Sequence, residues 1–292
     1  MLDKRVAASC LVAFGLNAPA VMAQPDFSKV EIKAHLVSGQ VYYLEGAGGN
    51  IGLFSGDDGV FLIDDQYAPL TDKIVTAIRE ISDRPIRFLV NTHMHPDHTG
   101  GNENFGRMGA MIFGHDNVRR QMKLAGYDEA PPLVTFGDDM SFHINGETVL
   151  VFKTPDAHTN GDVYILFKDS NAVHTGDIYR TTSYPYIDTS NGGSFLGTIK
   201  ALDLLIEISD AETKIIPGHG RISNVGEVRE FRDMMLVIRD RIKSAISKGQ
   251  TLEQIQAAGL TTEYDERWES GRRIGSAGSL IEAAYADMAP NP

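Results

Sequence analysis

The sequence predicts an α/β (α+β) fold in which two mixed sheets carry helices on their outer faces. Three observations lead to this prediction. Short apolar runs typical of strands are mixed with amphipathic helical segments, two-stranded hairpins recur, and helices occur in both halves of the chain. A doubly wound parallel sheet would show fewer hairpins, so we favour two sheets with helices outside.

The first half of the chain supplies two hairpins, a helix and a buried strand. KAHLVSGQVYYLEG predicts two strands that turn at Ser38-Gly39, and NIGLFSGDDGVFLIDD predicts a second hairpin around residues 56–59. Apolar residues at positions 74, 75, 78 and 81 follow helical spacing. PIRFLVNT is a continuous apolar run that predicts a strand leading into Asn91–Gly101.

The second half repeats this pattern. Strands are predicted in AMIFGH, ETVLVFKT, DVYILFKDSNAVHTGD (a hairpin) and TKIIPGHG, and helices in DNVRRQMKLAG and SFLGTIKALDLLIEIS. Three more helical segments, VREFRDMMLVIRDRIKSAIS, TLEQIQAAG and SLIEAAYADM, form a C-terminal helical extension over about residues 225–292. Residues 24–292 are predicted to form a single domain with that extension.

The N-terminus has the pattern of a secretory signal peptide, residues 1–23. Lys4 and Arg5 precede a short apolar run, and the small-x-small tripeptide VMA ends at Ala23. Gly15, Asn17 and Pro19 interrupt the run, which is too short for a good transmembrane helix. We therefore expect a periplasmic or secreted protein with no membrane insertion after cleavage.

Charge and cysteine content narrow the classes of partner. The formal net charge is −12, and the sequence has no basic stripe. Both observations argue against nucleic acid as a partner. We expect a small-molecule substrate. Cys10 is the only cysteine and lies in the signal peptide. The mature chain therefore has neither a disulfide nor a thiolate to offer a metal.

The segment NTHMHPDHTGG concentrates metal-binding residue types. Three of the chain's nine histidines fall within six positions of it, with Asp97 between them. Three further loops, each after an apolar strand, carry His158 in AHTNGD, Asp177 in HTGD and His219 in PGHG. Four strand ends are thus expected to converge on one site.

The spacing divides these residues between two ions. His93 and His95, two positions apart, point to one side of an extended segment, and His158 completes a three-histidine set with an open position for water. Asp97 and His98 lie beyond the turn at Pro96 and, with His219, are predicted to hold a second ion, which Asp177 bridges to the first. Two such ions would share a hydroxide that is present at neutral pH.

The order H-x-H-x-D-H, His, Asp, His resembles the metallo-β-lactamase-fold hydrolases. The resemblance implies a four-layer αββα sandwich with two metals at one edge of the sheets, held by the residues just named. Zinc is the expected ion, and iron or manganese are alternatives. Asp177 stands where the similar zinc β-lactamases carry cysteine. Only weak β-lactamase activity is therefore expected, and Arg180 is a candidate replacement for their substrate-binding lysine.

We interpret the sequence as that of an exported dinuclear-metal hydrolase. The bridging hydroxide is expected to attack an ester, thioester, lactone or amide-type bond while Asp97 orients it. Asn191 is a candidate donor to the developing oxyanion, or else a turn residue. Tyr184 is expected to line the substrate groove with Tyr186, unless it is a packing residue. Asp64, which ends the strand GVFLID, is expected to tie loops together under the metals.

Three alternatives remain at this point. Glyoxalase II has the same ligand set, but its glutathione-binding pattern is missing from the segment after His219. A mononuclear iron sulfur-dioxygenase and a non-catalytic metal-binding periplasmic accessory protein are the other two. Ala125–Met140 is a candidate flap or entrance loop, and the glycines of EGAGGNIG suit a mobile lid, unless either segment is simply a surface loop.

Overall fold

The computed structural model describes residues 26–127 and 130–289, so the predicted signal peptide lies outside the described residues. The strands are β1 Lys33–Ser38, β2 Val41–Glu45, β3 Ile51–Gly56, β4 Gly59–Ile63, β5 Ile86–Asn91, β6 Met111–His115, β7 Val134–Phe136, β8 Asp139–Ile144, β9 Glu147–Lys153, β10 Val163–Phe167, β11 Ala172–His174 and β12 Lys214–Ile216. The helices are α1 Thr71–Arg79, α2 Pro96–Thr99, α3 Asn102–Arg107, α4 Asp116–Leu124, α5 Phe195–Glu207, α6 Val225–Ser247, α7 Leu252–Ala257, α8 Thr262–Trp268 and α9 Ala277–Met288.

The strands form two sheets, one of seven strands in the order β1 to β7 and one of five in the order β12-β11-β10-β9-β8. In the first sheet β4 and β5 are parallel, so both end at the same edge. In the second sheet β9 and β11 flank β10, to which each is antiparallel, and β12 is parallel to β11. The carboxyl ends of β9, β11 and β12 therefore share an edge as well.

Three apolar cores hold the layers together. The inner faces of the two sheets pack on each other through side chains such as Phe54, Phe61, Val149 and Phe167. The outer face of the first sheet is covered by α1 and α3, and that of the second by α5, α6 and α9. Each large apolar side chain fully buried in these cores contributes roughly 1.5–3 kcal/mol. The αββα prediction is confirmed.

The residues predicted as a C-terminal extension form α6 to α9 and share one core with α5. Phe231, Trp268 and Leu280 are buried together there with Leu202 of α5. Within the described part of the chain, no helix has both the length and the apolar character needed to cross a bilayer.

Both predicted entrance loops differ from expectation. The segment Ala125–Met140 contains β7 and the start of β8, which are too short to show a hydrophobic period. The glycine-rich loop between β2 and β3 is tied down by Asn50, whose amide donates to the carbonyls of Pro217 at 2.9 Å and Gly220 at 2.8 Å. This second loop is therefore part of the site's frame, and these contacts favour an ordered loop over the mobile lid.

Candidate metal centre

The loops after β5, β9, β11 and β12 bring the seven predicted ligand side chains together. They form three overlapping groups in which the potential ligand atoms lie within 4.8 Å of one another. The groups are His93, His95 and His158; His93, His98 and Asp177; and Asp97, His98 and His219.

The first group is a set of three imidazole rings. The rings of His95 and His158 lie 4.9 Å and 4.6 Å, centroid to centroid, from that of His93. The Nε2 atom of His158 lies 2.8 Å from the Nδ1 atom of His95. Three ring nitrogens thus face one small space, as in sites that hold an ion and leave a position open for water.

The second nitrogen of each ring points away from the site and contacts a neighbouring residue. The outer contacts join His93 Nδ1 to Thr92 Oγ1 at 2.9 Å, His95 Nε2 to Asp188 Oδ2 at 2.9 Å, and His158 Nδ1 to Tyr186 O at 2.7 Å. Thr92 Oγ1 can donate its own proton to Asp64, so it can accept from His93. With the outer nitrogens as donors, the inner nitrogens present lone pairs, which is how metal-binding histidines are oriented.

The other predicted ligands, Asp97, His98, Asp177 and His219, form a second group beside the three histidines. The Nε2 atom of His219 is 3.3 Å from Oδ2 of Asp97 and 3.3 Å from Oδ2 of Asp177. The Nε2 atom of His98 is 3.2 Å from Oδ1 of Asp177 and 3.7 Å from Oδ2 of Asp97. Since Asp177 Oδ2 is also 3.8 Å from His158 Nε2, this carboxylate reaches both groups.

Buried polar atoms without partners show that these residues fit a cation. His93 Nε2, His98 Nε2 and Asp177 Oδ1 are buried and make no hydrogen bond. Such atoms cost about 1–3 kcal/mol each when nothing satisfies them, and a metal ion would satisfy all three. A Cβ on Gly218 would lie 2.0 Å from Asp177 Oδ1, so only glycine allows this approach. The all N and O donor set suits zinc, iron or manganese.

The protonation states of His93, His158 and Asp177 favour metal binding. Burial, reinforced by His98, holds the pKa of His93 well below its ordinary value, and burial and His95 lower the pKa of His158 to about 3. Burial opposes ionisation of Asp177, but His219, Arg180 and His98 outweigh it and hold its pKa well below the usual range. His93 and His158 are thus neutral donors and the Asp177 carboxylate is ionised. Burial opposes protonation of His98 and His219, but the neighbouring carboxylates, Asp177 above all, outweigh it and raise the pKa of both rings, so these two rings would give up a proton when a metal binds.

Asp64 ties the loop after β4 to the ligand loop after β5, as expected. Its carboxylate accepts from the Thr92 N–H at 2.8 Å, the Thr92 hydroxyl at 2.7 Å and His98 Nδ1 at 2.7 Å. The side chain is fully buried, and the backbone has φ of 60°, a left-handed conformation that aspartate tolerates better than most residues. One carboxylate therefore orients His98 directly and His93 through Thr92.

Sequence reasoning missed Asn50 and Asp188. Asn50 joins the β2–β3 loop to the His219 loop, and Asp188 holds His95. The side-chain amide of Asn191 donates to Asp188 at 2.7 Å, and the backbone carbonyl of Asn191 accepts from Gln121, as a turn residue would. Its predicted role toward an oxyanion stays a prediction. A lone asparagine or aspartate in a loop carries no signal by which these contacts could have been found.

Two predicted substrate-binding residues are buried in contacts within the protein. Tyr184 is fully buried, and its hydroxyl is 2.8 Å from Asp265 and 3.2 Å from the carbonyl of Thr261, so the prediction that it lines the groove is wrong. Arg180 is only 6% exposed, and its guanidinium donates to Asp177. Its charge is therefore paired with Asp177 and is not free to bind a substrate.

Comparison with known proteins agrees with the fold and the ligand pattern. Residues 44–219, more than half of the chain, match the sequence profile of the metallo-beta-lactamase superfamily. No curated protein matches the sequence significantly.

Solved structures are similar at low identity. A metallo-beta-lactamase from Pontibacter korlensis has a TM-score of 0.63 at 19% identity, covering 70% of this chain and 99% of that one. The DIM-1 metallo-beta-lactamase gives 0.62 at 17%, covering 71% and 99%. DIM-1 exposed to ceftazidime gives 0.60 at 17%, covering 70% and 97%. At these identities the likeness shows the fold, and with the profile match it establishes that the chain belongs to the metallo-β-lactamase superfamily.

Proposed function

We propose that the protein is a dinuclear-metal hydrolase that acts on an ester, thioester, lactone or amide-type bond of a small molecule. Zinc is the first expectation for both ions, and iron or manganese are the alternatives. The observation that carries the proposal is the orientation of the ligand rings. His93, His95, His98 and His158 each use the outer nitrogen in a hydrogen bond and direct the inner one into the site.

When bound, divalent ions lower the pKa of water and polarise a carbonyl, which supplies the chemistry of hydrolysis. The protein residues decide from which side a substrate enters. The side chains of His98 and Asp177 are at most 5% exposed, whereas those of His95, Asp97 and His219 are 19–24% exposed. The reacting bond therefore approaches across these last three side chains.

Asp97 stands on this open side with a carboxylate that stays ionised. Burial opposes ionisation, but His98 and His219 outweigh it and hold the pKa of Asp97 well below its usual range. An ionised carboxylate there can accept a hydrogen bond from the attacking water and so orient it. Tyr186, whose ring centroid lies 6.3 Å from that of His95, borders the same opening.

Weak β-lactam hydrolysis is a second candidate activity. It is favoured by the likeness to solved metallo-beta-lactamases, one of them exposed to ceftazidime. Asp177 argues for a secondary role. By the resemblance drawn from the sequence it stands where zinc β-lactamases carry a cysteine, and a carboxylate is a harder ligand than a thiolate.

Hydrolysis of at least one compound in an ester, thioester, lactone and β-lactam panel is expected to require metal. Treatment with a chelator should abolish it, two equivalents of zinc should restore it, and circular dichroism should show that the metal-free protein stays folded. Hydrolysis that survives complete metal removal would overturn the proposal. One iron per chain with oxygen uptake would favour a sulfur-dioxygenase, and two bound ions without turnover on the panel would favour an accessory protein.

We also propose that the protein is exported, on the strength of the signal-peptide pattern in residues 1–23. Expression of the full chain in a bacterium with a periplasm is expected to yield a periplasmic protein whose mass corresponds to a start at Gln24. The Ala23→Tyr variant should remain uncleaved because the last position of the small-x-small motif is lost. A wild-type protein that keeps Met1 to Ala23 in the cytoplasm would disprove export.

A further inference from the structure

Arg180 is a buried cation next to the candidate metal centre. One guanidinium nitrogen, Nη2, donates to Oδ2 of Asp177, and this is the guanidinium's one hydrogen bond in the described part of the chain. The Nε atom is buried without a partner. The backbone of Arg180 pairs with that of His219 in a parallel bridge, which fixes the arginine at the end of the ligand loops. An arginine stays charged even when buried, so its charge is permanently present there.

The ion pair makes the two oxygens of Asp177 unequal. Oδ2 faces Arg180 and also lies 3.3 Å from His219 Nε2, whereas Oδ1 faces His98 and has no hydrogen-bond partner. An ion between Asp97, His98, Asp177 and His219 would therefore share one carboxylate with a guanidinium. The three-histidine group meets Arg180 less directly. Its outer contacts go to Thr92, Asp188 and the carbonyl of Tyr186, and the oxygen of Asp177 that Arg180 holds is 3.8 Å from His158 Nε2.

Electrostatic repulsion should then make the affinities of the two metal positions different. Like charges repel strongly across a few ångströms of poorly solvated protein, and a divalent ion at the second position lies on the carboxylate that holds the guanidinium. Arg180 already compensates part of the negative charge that would attract this ion. We propose that Arg180 is a positioning residue that weakens the second metal position, so that the two ions bind with well-separated affinities, the three-histidine position filling first. This inference rests on the proposed dinuclear site.

Zinc titration of the chelator-treated full chain, followed by calorimetry and by metal analysis, tests the inference. Wild type should show two separate binding steps. Arg180→Met removes the charge at similar volume and should tighten the second step by about 10-fold or more, because the repulsion between the guanidinium and the ion is removed, while changing the first step much less. Arg180→Lys keeps a charge and should stay near wild type.

Arg221→Met is the matched control. Arg221 is an exposed arginine two residues after His219, and it pairs with Glu227 at 2.8 Å, away from Asp177. Its loss should leave both zinc affinities within about twofold, since an exposed charge is screened by salt.

Each outcome has a distinct meaning. A second step that is unchanged or weaker in Arg180→Met overturns the role of Arg180. Two equal affinities in wild type overturn it as well, and that measurement does not depend on whether a variant folds. Binding of none of zinc, iron(II) and manganese would defeat the proposed function itself, whereas two zinc ions of equal affinity would leave that function standing.

Discussion

The His95→Ala variant is expected to lose hydrolytic activity by about a thousandfold or more, because metal stabilisation of the developing charge is worth several kcal/mol. His95 supplies one of three inward nitrogens, and its Nδ1 atom lies 2.8 Å from His158 Nε2. Without it the first ion loses a third of its protein ligands. The measurement is kcat/KM on the best substrate of the panel, together with zinc bound per chain.

His143→Ala is the matched control for this prediction. His143 is an exposed histidine of β8 whose only hydrogen-bond partner in the described structure is Thr148, so its loss should change neither activity nor zinc content. His95→Ala should stay folded, because its side chain is partly exposed and Asp188 keeps its hydrogen bond from Asn191. Wild-type activity in His95→Ala would refute the three-histidine site.

The strand ends explain why the ligand pattern could be predicted from sequence. An apolar run that stops next to a histidine or aspartate marks the place where a buried strand reaches the edge of its sheet. β5 is followed by His93, and β12 by His219, so spacing and residue type together identify the ligands. The short strand β7 lacks a clear period, and no comparable signal predicts it.

The contacts that hold the ligands could not be predicted, because their partners are distant in sequence. Asn50 reaches a carbonyl 167 positions away, and Asp188 reaches a histidine 93 positions away. Tyr184 is a similar case, since its hydroxyl contacts Asp265, which lies 81 positions further along the chain. Local pattern identifies which side chains can bind a metal, while tertiary packing decides how each is oriented.

Asp177 shows how a tertiary contact can change the expected result of a mutation. From sequence alone, Asp177→Ala is expected to remove a ligand and leave the fold intact. In the structure the same change strips buried Arg180 of its carboxylate partner, and losing one member of a buried ion pair costs about 3–5 kcal/mol. His95 is therefore the cleaner position at which to test the metal site.

Asp64→Ala is expected to lower the free energy of unfolding of the metal-free protein by about 3–5 kcal/mol, because it removes the buried charge that pairs with His98. The Thr92 N–H and hydroxyl lose their acceptor in the same change. Alanine would also have to adopt the left-handed backbone of Asp64, at a cost of about 1–2 kcal/mol. Urea unfolding monitored by circular dichroism measures the loss.

Asp64→Asn separates the charge from the shape of the side chain. Asparagine tolerates the left-handed backbone and keeps one oxygen acceptor, so it should lose clearly less stability than alanine. Asp57→Ala, which changes a fully exposed aspartate in the β3–β4 turn, should cost almost nothing. If Asp64→Ala were as stable as Asp57→Ala, the carboxylate would not be holding the ligand loop. The orientation of His98 would then have to come from packing alone, since its Nδ1 has no hydrogen-bond partner in the described structure besides Asp64.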